Sequence, residues 1–295
     1  MCQECPCTFR EADPLFPGAN GTRWDCEYVD HGLTSVPKQC WSLQPDVTQV
    51  FLDYNEILEL HPDDFTELTN LQTLTLRENQ LGVIAKGIFS GLKELKYLDL
   101  ANNLIMYPPS DLWNLRQLVY LDLSNNQLLD SSLFNISNLV NLQVLDLHLN
   151  QLTDIPSGSL VPLEGLLKFH IYWNQFVLLP DMSQNIFLEE VLVNGNALLT
   201  FPKYVFGPLL KPMTYHIVDN PAYDIWGTML LALPDRSHIK MGNDVSVWVE
   251  DQSQSDELLA KDWLVQDGLS ETIDLSTLIR ICGEEKPQND RIPPC

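Results

Sequence analysis

Residues 141–164 read NLQVLDLHLNQLTDIPSGSLVPLE. Leucines stand at 142, 145, 147 and 152, with an asparagine at 150. This L-x-x-L-x-L-x-x-N-x-L spacing marks a repeat made of one short strand, a turn and a looser return segment. The same word, blurred to varying degrees, recurs along the chain. Its asparagine falls at Asn55, Asn79, Asn103, Asn126, Asn150, Asn174, Asn196 and Asn220, in steps of 24, 24, 23, 24, 24, 22 and 24 residues. Apolar residues precede each asparagine by eight, five and three positions, the last copy being the loosest, with Pro212 at its first apolar position.

No single unit of this kind can bury its own apolar face. Stacking the units buries one continuous core and lines their strands into a parallel sheet. The pattern therefore predicts an α/β repeat solenoid: a curved leucine-rich repeat horseshoe, parallel β-sheet on its concave face, with capping modules at both ends. The asparagine column reads as scaffold, because an amide side chain can donate to and accept from turn backbone that would otherwise be buried unpaired. Phe65, Phe89 and Phe206, ten residues past their asparagines, are expected on the back of the core.

The chain has 295 residues, 45% of them hydrophobic, which is enough for a large core. It carries 17 Lys plus Arg against 40 Asp plus Glu, a formal charge of -23. That charge argues against nucleic-acid binding through phosphate neutralisation and against docking on anionic lipid. It suits solubility first and a cationic partner second. No apolar run approaches the roughly 20 residues of a membrane helix, so direct membrane insertion is not expected.

Cysteine is confined to the two ends: Cys2, Cys5, Cys7, Cys26 and Cys40, then Cys282 and Cys295, with none in the 241 residues between. Cysteines at the ends of a repeat array suggest disulfide-stapled caps and an extracellular, oxidising compartment. Two glycosylation acceptors, Asn20-Gly21-Thr22 and Asn135-Ile136-Ser137, point the same way. Met1 precedes the cysteine cluster directly, as expected of a mature chain with an added or residual methionine. The array divides into an amino-terminal cap (1–46), about eight repeats (47–220) and a carboxy-terminal cap (221–295). In the last, Asp224–Leu233 and Ser255–Gln266 are expected as helices and Val245–Val249 as a strand.

The C-x-x-C-x-C cluster, Cys26 and the run Gly32-Leu33-Thr34-Ser35-Val36-Pro37 resemble the amino-terminal cysteine-rich flank of extracellular leucine-rich repeat proteins. That resemblance implies the pairs Cys2–Cys7 and Cys5–Cys26; the rival for such a cluster is a zinc site, which needs a reducing compartment. With Cys282 and Cys295 closing the last loop, Cys40 is left either buried and inert or available for a disulfide-linked dimer. Within the family, the chain is most similar to the variable lymphocyte receptors of jawless vertebrates, over residues 1 to about 221. The resemblance implies antigen binding on the concave sheet, helped by a loop of the carboxy-terminal cap. There the chain departs: Asp224 and Trp226 stand where the family's N-P-W-x-C-x-C has cysteines.

Side chains alternate along a strand, so three columns face outward on the concave sheet. They gather Tyr97, Asp99, Tyr120, Asp122, Asp146, His148, His170, Tyr172 and Trp173 as the expected ligand-binding patch. The aspartates also have a plain reading, because "LDLSNN" is ordinary repeat chemistry. The tyrosines, tryptophan and histidines are not required by the repeat, and aromatics of this kind concentrate in binding hot spots. A carboxylate row alone lacks the roughly six to eight oxygens calcium prefers, so no metal and no cofactor is expected.

These features predict an extracellular recognition protein that binds a protein or glycan ligand, such as a microbial surface. Immune or pattern recognition is the leading reading, and a matrix or cell-adhesion module is the alternative. No G-x-S-x-G, H-E-x-x-H or phosphate loop is present. His148 with Asp146, and Ser124 as nucleophile, could be drawn as a hydrolase dyad, but an open strand face lacks an enclosing pocket. An enzyme is not expected.

Overall fold

Leucine spacing fixes strands only three residues long. The central residue of each points into the core and the two beside it point away. The computed structural model describes residues 5, 7–10, 23–43, 46–131, 134–199, 214–216, 220, 238–240, 245–249 and 260–265. They belong to two units, Met1–Asn150 and Gln151–Cys295.

In the first unit, β1 (Cys7–Arg10) and β2 (Arg23–Glu27) form an antiparallel hairpin, and β2 continues parallel into β3 (Val47–Phe51). Two short outlying strands, β4 (Glu59–Leu60) and β6 (Val83–Ile84), pair with each other on the return side. The main sheet runs on through β5 (Thr73–Thr75), β7 (Tyr97–Asp99), β8 (Tyr120–Asp122) and β9 (Val144–Asp146), each parallel and in register with the one before. In the second unit β10 (Lys168–His170), β11 (Glu190–Leu192) and β12 (Thr214–His216) repeat the arrangement. Both units are thus parallel-strand solenoid, as the spacing predicts.

The core is the leucine ladder itself. Leu71, Leu74 and Leu76, then Leu95, Leu98 and Leu100, then Leu118, Leu121 and Leu123 are fully buried, as are Leu166, Phe169 and Ile171 in the second unit. Full burial of one such side chain is worth about 1.5–3 kcal/mol. Phe65 and Phe89 are buried as expected. Phe206 lies outside the described residues.

The asparagine column closes each turn. Asn126 Nδ2 donates to the carbonyls of Leu100, Leu123 and Ser124 at 3.0–3.1 Å, while its Oδ1 accepts the Ile105 N–H at 3.0 Å. One side chain therefore ties its own turn to the preceding rung. Asn79, Asn103 and Asn150 do the same in the first unit, and Asn196 in the second. From Asn55 to Asn196, the residue just before each asparagine of the column has positive φ: Tyr54, Glu78, Asn102, Asn125 and Leu149 in one unit, Trp173 and Gly195 in the other.

Two expectations need correction. Cys7 is bonded to Cys26 and Cys5 to Cys40, in place of Cys2–Cys7 and Cys5–Cys26. The cause is the hairpin, whose register sets Cys7 opposite Cys26. Cys40 is consequently buried in a disulfide inside the chain, which removes the Cys40-linked dimer, and all four of these cysteines are disulfide-bonded, which removes the zinc reading. The helix expected over Ser255–Gln266 gives way, over its described part, to β15 (Ala260–Val265), antiparallel to β14 (Val245–Val249). Twenty-four residues beyond Thr214, β13 (His238–Lys240) pairs parallel to β12 before β14 turns back antiparallel. Cys2, Asn20, Cys282, Cys295 and the segment Asp224–Leu233 lie outside the described residues.

Candidate binding face

The nine residues expected to form the patch fall into two sets, six in the first unit and three in the second. In the first unit the register lines Tyr97 beside Tyr120, and Asp99 beside Asp122 beside Asp146. The two tyrosine rings stack face to face, centroids 4.1 Å apart and planes 5° from parallel. Tyr120 donates its hydroxyl proton to Asp122 Oδ2 at 3.2 Å.

Each aspartate of the row also serves the backbone. Asp99 Oδ1 accepts the Ala101 N–H at 3.0 Å, Asp122 Oδ1 that of Ser124 at 2.9 Å, and Asp146 Oδ1 that of His148 at 3.1 Å. The side chain caps the strand end two residues on, which is the scaffold role the plain reading assigns it. His148 adds its ring, with Nδ1 2.6 Å from Asp146 Oδ1. Ser124 is buried and hydrogen-bonds to Asp122 through both its N–H and its hydroxyl, so the drawn hydrolase dyad has its nucleophile committed to scaffold.

Stacking carboxylates on adjacent rungs has an electrostatic consequence. Burial pushes the Asp99 carboxyl up to about 7, reinforced by the neighbouring Asp122 and offset by the Ala101 N–H and the Arg77 guanidinium. Asp122 is raised by burial and by Asp146. Burial likewise raises Tyr97 to about 12, with Asp99 adding to it, and raises Tyr120.

Two residues of this face were visible in the outward columns but not chosen. Asp53 accepts the Thr75 hydroxyl at 2.6 Å and the Arg77 N–H at 2.7 Å, and burial raises its carboxyl. Arg77 places a cation among the carboxylates, where Asp99 and Asp122 both favour its charged form. The signal was in the sequence: Arg77 is the one lysine or arginine in its outward column.

In the second unit His170 Nε2 lies 2.7 Å from Glu190 Oε1, and Lys168 Nζ lies 3.4 Å from Glu190 Oε2. Tyr172 sits beside His170, ring centroids 6.4 Å apart. Trp173 is 49% exposed, and its ring lies on the backbone of Gly195, where a Cβ would come within 2.6 Å of the indole. Glu190 stands in an outward column but was not chosen for the patch, and Gly195 was not expected on this face. Among the described residues no group of His, Cys, Asp or Glu is arranged to hold a metal ion. Nor, among them, is any helix long and apolar enough to cross a membrane.

Comparison with known proteins bears on these repeats. Residues 45–105 and 69–128 match the leucine rich repeat family model. Asporin from Bos taurus is 32% identical over 83 residues, covering 28% of this chain and 22% of asporin. The human leucine-rich repeat-containing G-protein coupled receptor 5 is 36% identical over 89 residues, 30% of this chain and 9% of the receptor. Toll-like receptor 10 from Bos taurus is 38% identical over 71 residues, 24% of this chain and 8% of the receptor. The chain thus spans less than a quarter of the length of these curated relatives. Among solved structures, an LRR protein of Leptospira interrogans superposes with a TM-score of 0.53 at 25% identity, covering 72% of this chain and 64% of that one. The family match over residues 45–128, the asparagine-closed turns and the parallel rungs agree on one fold, that of a leucine-rich repeat solenoid.

Proposed function

We propose that this chain is an extracellular recognition protein that binds a protein or glycan ligand on its outward strand faces, in the manner of an immune or pattern-recognition receptor. The observation that carries the reading is the stacked Tyr97–Tyr120 pair beside the Asp99–Asp122–Asp146 row. Repeat chemistry accounts for the aspartates through their backbone caps, yet it gives no reason for two aromatic rings on an outward column. Tyrosine offers large contact area at low conformational cost together with a polar tip. The surrounding carboxylates favour a ligand with basic groups, consistent with the net charge of -23.

The extracellular placement is supported by the disulfides Cys5–Cys40 and Cys7–Cys26, which persist in oxidising compartments. The resemblance to variable lymphocyte receptors favours antigen-like ligands, microbial surfaces among them.

The test is a screen of the secreted chain against protein and glycan arrays, repeated with Tyr97→Ala/Tyr120→Ala and with Tyr172→Ala. Replacing a hot-spot aromatic costs 2 kcal/mol or more, so the double variant should weaken binding by roughly thirtyfold or more. Binding left unchanged by both variants would place the ligand elsewhere and end this reading. A chain that binds only itself or matrix polymers would favour the adhesion alternative.

A further inference from the structure

We propose that Asn135 carries an N-linked glycan, planted on the return segment of the first unit. Asn135-Ile136-Ser137 is one of the two acceptor triplets in the chain and the one that lies within the described residues. Five asparagines of this unit are committed to the turns: Asn55, Asn79, Asn103, Asn126 and Asn150 have their amides buried against carbonyls. Asn141, on the same return segment as Asn135, donates to the Arg116 carbonyl. Asn135 differs. It is exposed, and its side chain makes no capping bond to the 3-10 turn Ile136–Asn138 that follows it.

Its backbone, by contrast, is held. The Asn138 N–H donates to the Asn135 carbonyl at 3.0 Å, and the Leu139 N–H to that of Ile136 at 2.9 Å. On either side Phe134 and Ile136 are buried, and Phe134 packs on Trp113 with ring centroids 4.7 Å apart. The amide thus stands free on an anchored platform, with room for a bulky hydrophilic group.

The second condition is access to the transferase, which works in the compartment where disulfides form. The Cys5–Cys40 and Cys7–Cys26 bonds support that compartment, and the inference rests on that extracellular reading. The co-substrate is a lipid-pyrophosphate-linked oligosaccharide. Asn135 Nδ2 attacks the anomeric carbon, the bond from that carbon to the pyrophosphate oxygen breaks, the lipid pyrophosphate leaves and the amide loses one proton.

The position has a consequence for recognition. Ile136 and Leu139 face inward, so the leucine core separates this segment from β8 and β9. A glycan here covers the back of the unit and leaves the Tyr97–Tyr120 face open.

The test expresses the full chain behind a secretion signal in mammalian cells and maps tryptic glycopeptides by mass, with and without peptide-N-glycosidase. The Asn135 peptide should be found glycosylated and should carry aspartate at 135 after release. Asn135→Gln and Ser137→Ala should each lose one glycan's mass, while Ser137→Thr retains it. An unmodified Asn135 peptide in a chain whose Cys7 and Cys26 are oxidised overturns the glycan and leaves the extracellular reading standing. An unmodified peptide with reduced thiols overturns both.

Discussion

Asparagine and aspartate, nearly the same shape, take opposite roles a few residues apart in each rung. Asn126 gives both amide hydrogens to buried carbonyls and accepts one N–H. An aspartate there would set a second carboxylate oxygen against three carbonyl oxygens. Leaving buried groups unpaired costs about 1–3 kcal/mol each, so Asn126→Asp should destabilise by roughly 3 kcal/mol or more in chemical denaturation. The reverse exchange at Asp99 should stabilise. Asn can still accept the Ala101 N–H, and it cannot ionise. The Asp99 carboxyl is raised by burial and by Asp122 to about 7 when folded, against about 3.9 unfolded, so the folded chain holds this proton more tightly. Its contribution to stability is therefore fully present below about pH 4 and is lost as the pH rises through about 7. Thermal melts of Asp99→Asn should lie above wild type at pH 8 and converge with it near pH 4. A wild-type advantage at pH 8 would mean that the ionised row is held by contacts stronger than its own repulsion.

At the scale of elements, the rungs were legible in the sequence and their joints were not. Leucine spacing and the asparagine column both read correctly, because a core-facing leucine and a buried amide each tolerate few substitutes. The conformation of the residue before each asparagine gave no comparable signal, since it is filled by Tyr54, Glu78, Asn102, Asn125, Leu149, Trp173 and Gly195 alike. The left-handed region costs an ordinary residue about 1–2 kcal/mol, and asparagine less. Leu149 holds φ 51° with its side chain exposed, so Leu149→Asn should raise stability, by up to about 1 kcal/mol. At Gly195 the same geometry runs the other way. Its φ is 63°, and a methyl group would strike the Trp173 indole, so Gly195→Ala should lower the melting temperature and shift tryptophan emission together. A lowered melting temperature with unchanged emission would show that the indole does not depend on that glycine. Ala260–Val265 illustrates the opposite failure. Acidic residues before it and Gly268 after it suggest a helix, but antiparallel pairing with Val245–Val249 decides the matter, and pairing across a sheet leaves no local mark.

For the whole chain, the cysteines bear on where unfolding begins. The sequence placed them at the ends but could not pair them, because the hairpin that opposes Cys7 to Cys26 is closed by residues with no periodic pattern. Repeat stacks behave as chains of nearest-neighbour contacts, so an end rung has one neighbour fewer than a central one and frays first. Here the amino-terminal end is reinforced. Trp41 donates to the Asp64 carbonyl at 2.7 Å and meets Tyr28 edge-on, while two disulfides close sequence separations of 35 and 19 residues over the same rungs. By chain entropy each closure is worth about 3–4 kcal/mol. The Cys5→Ser/Cys40→Ser variant should therefore lose stability of that order, and the loss should be local. In hydrogen exchange of the first unit, amides of β2 and β3 should lose protection first, while those of β7 and β8 keep theirs until global unfolding. Loss of protection spread evenly over all rungs would instead make the first unit one cooperative block, with the disulfides acting on the block and not on its end.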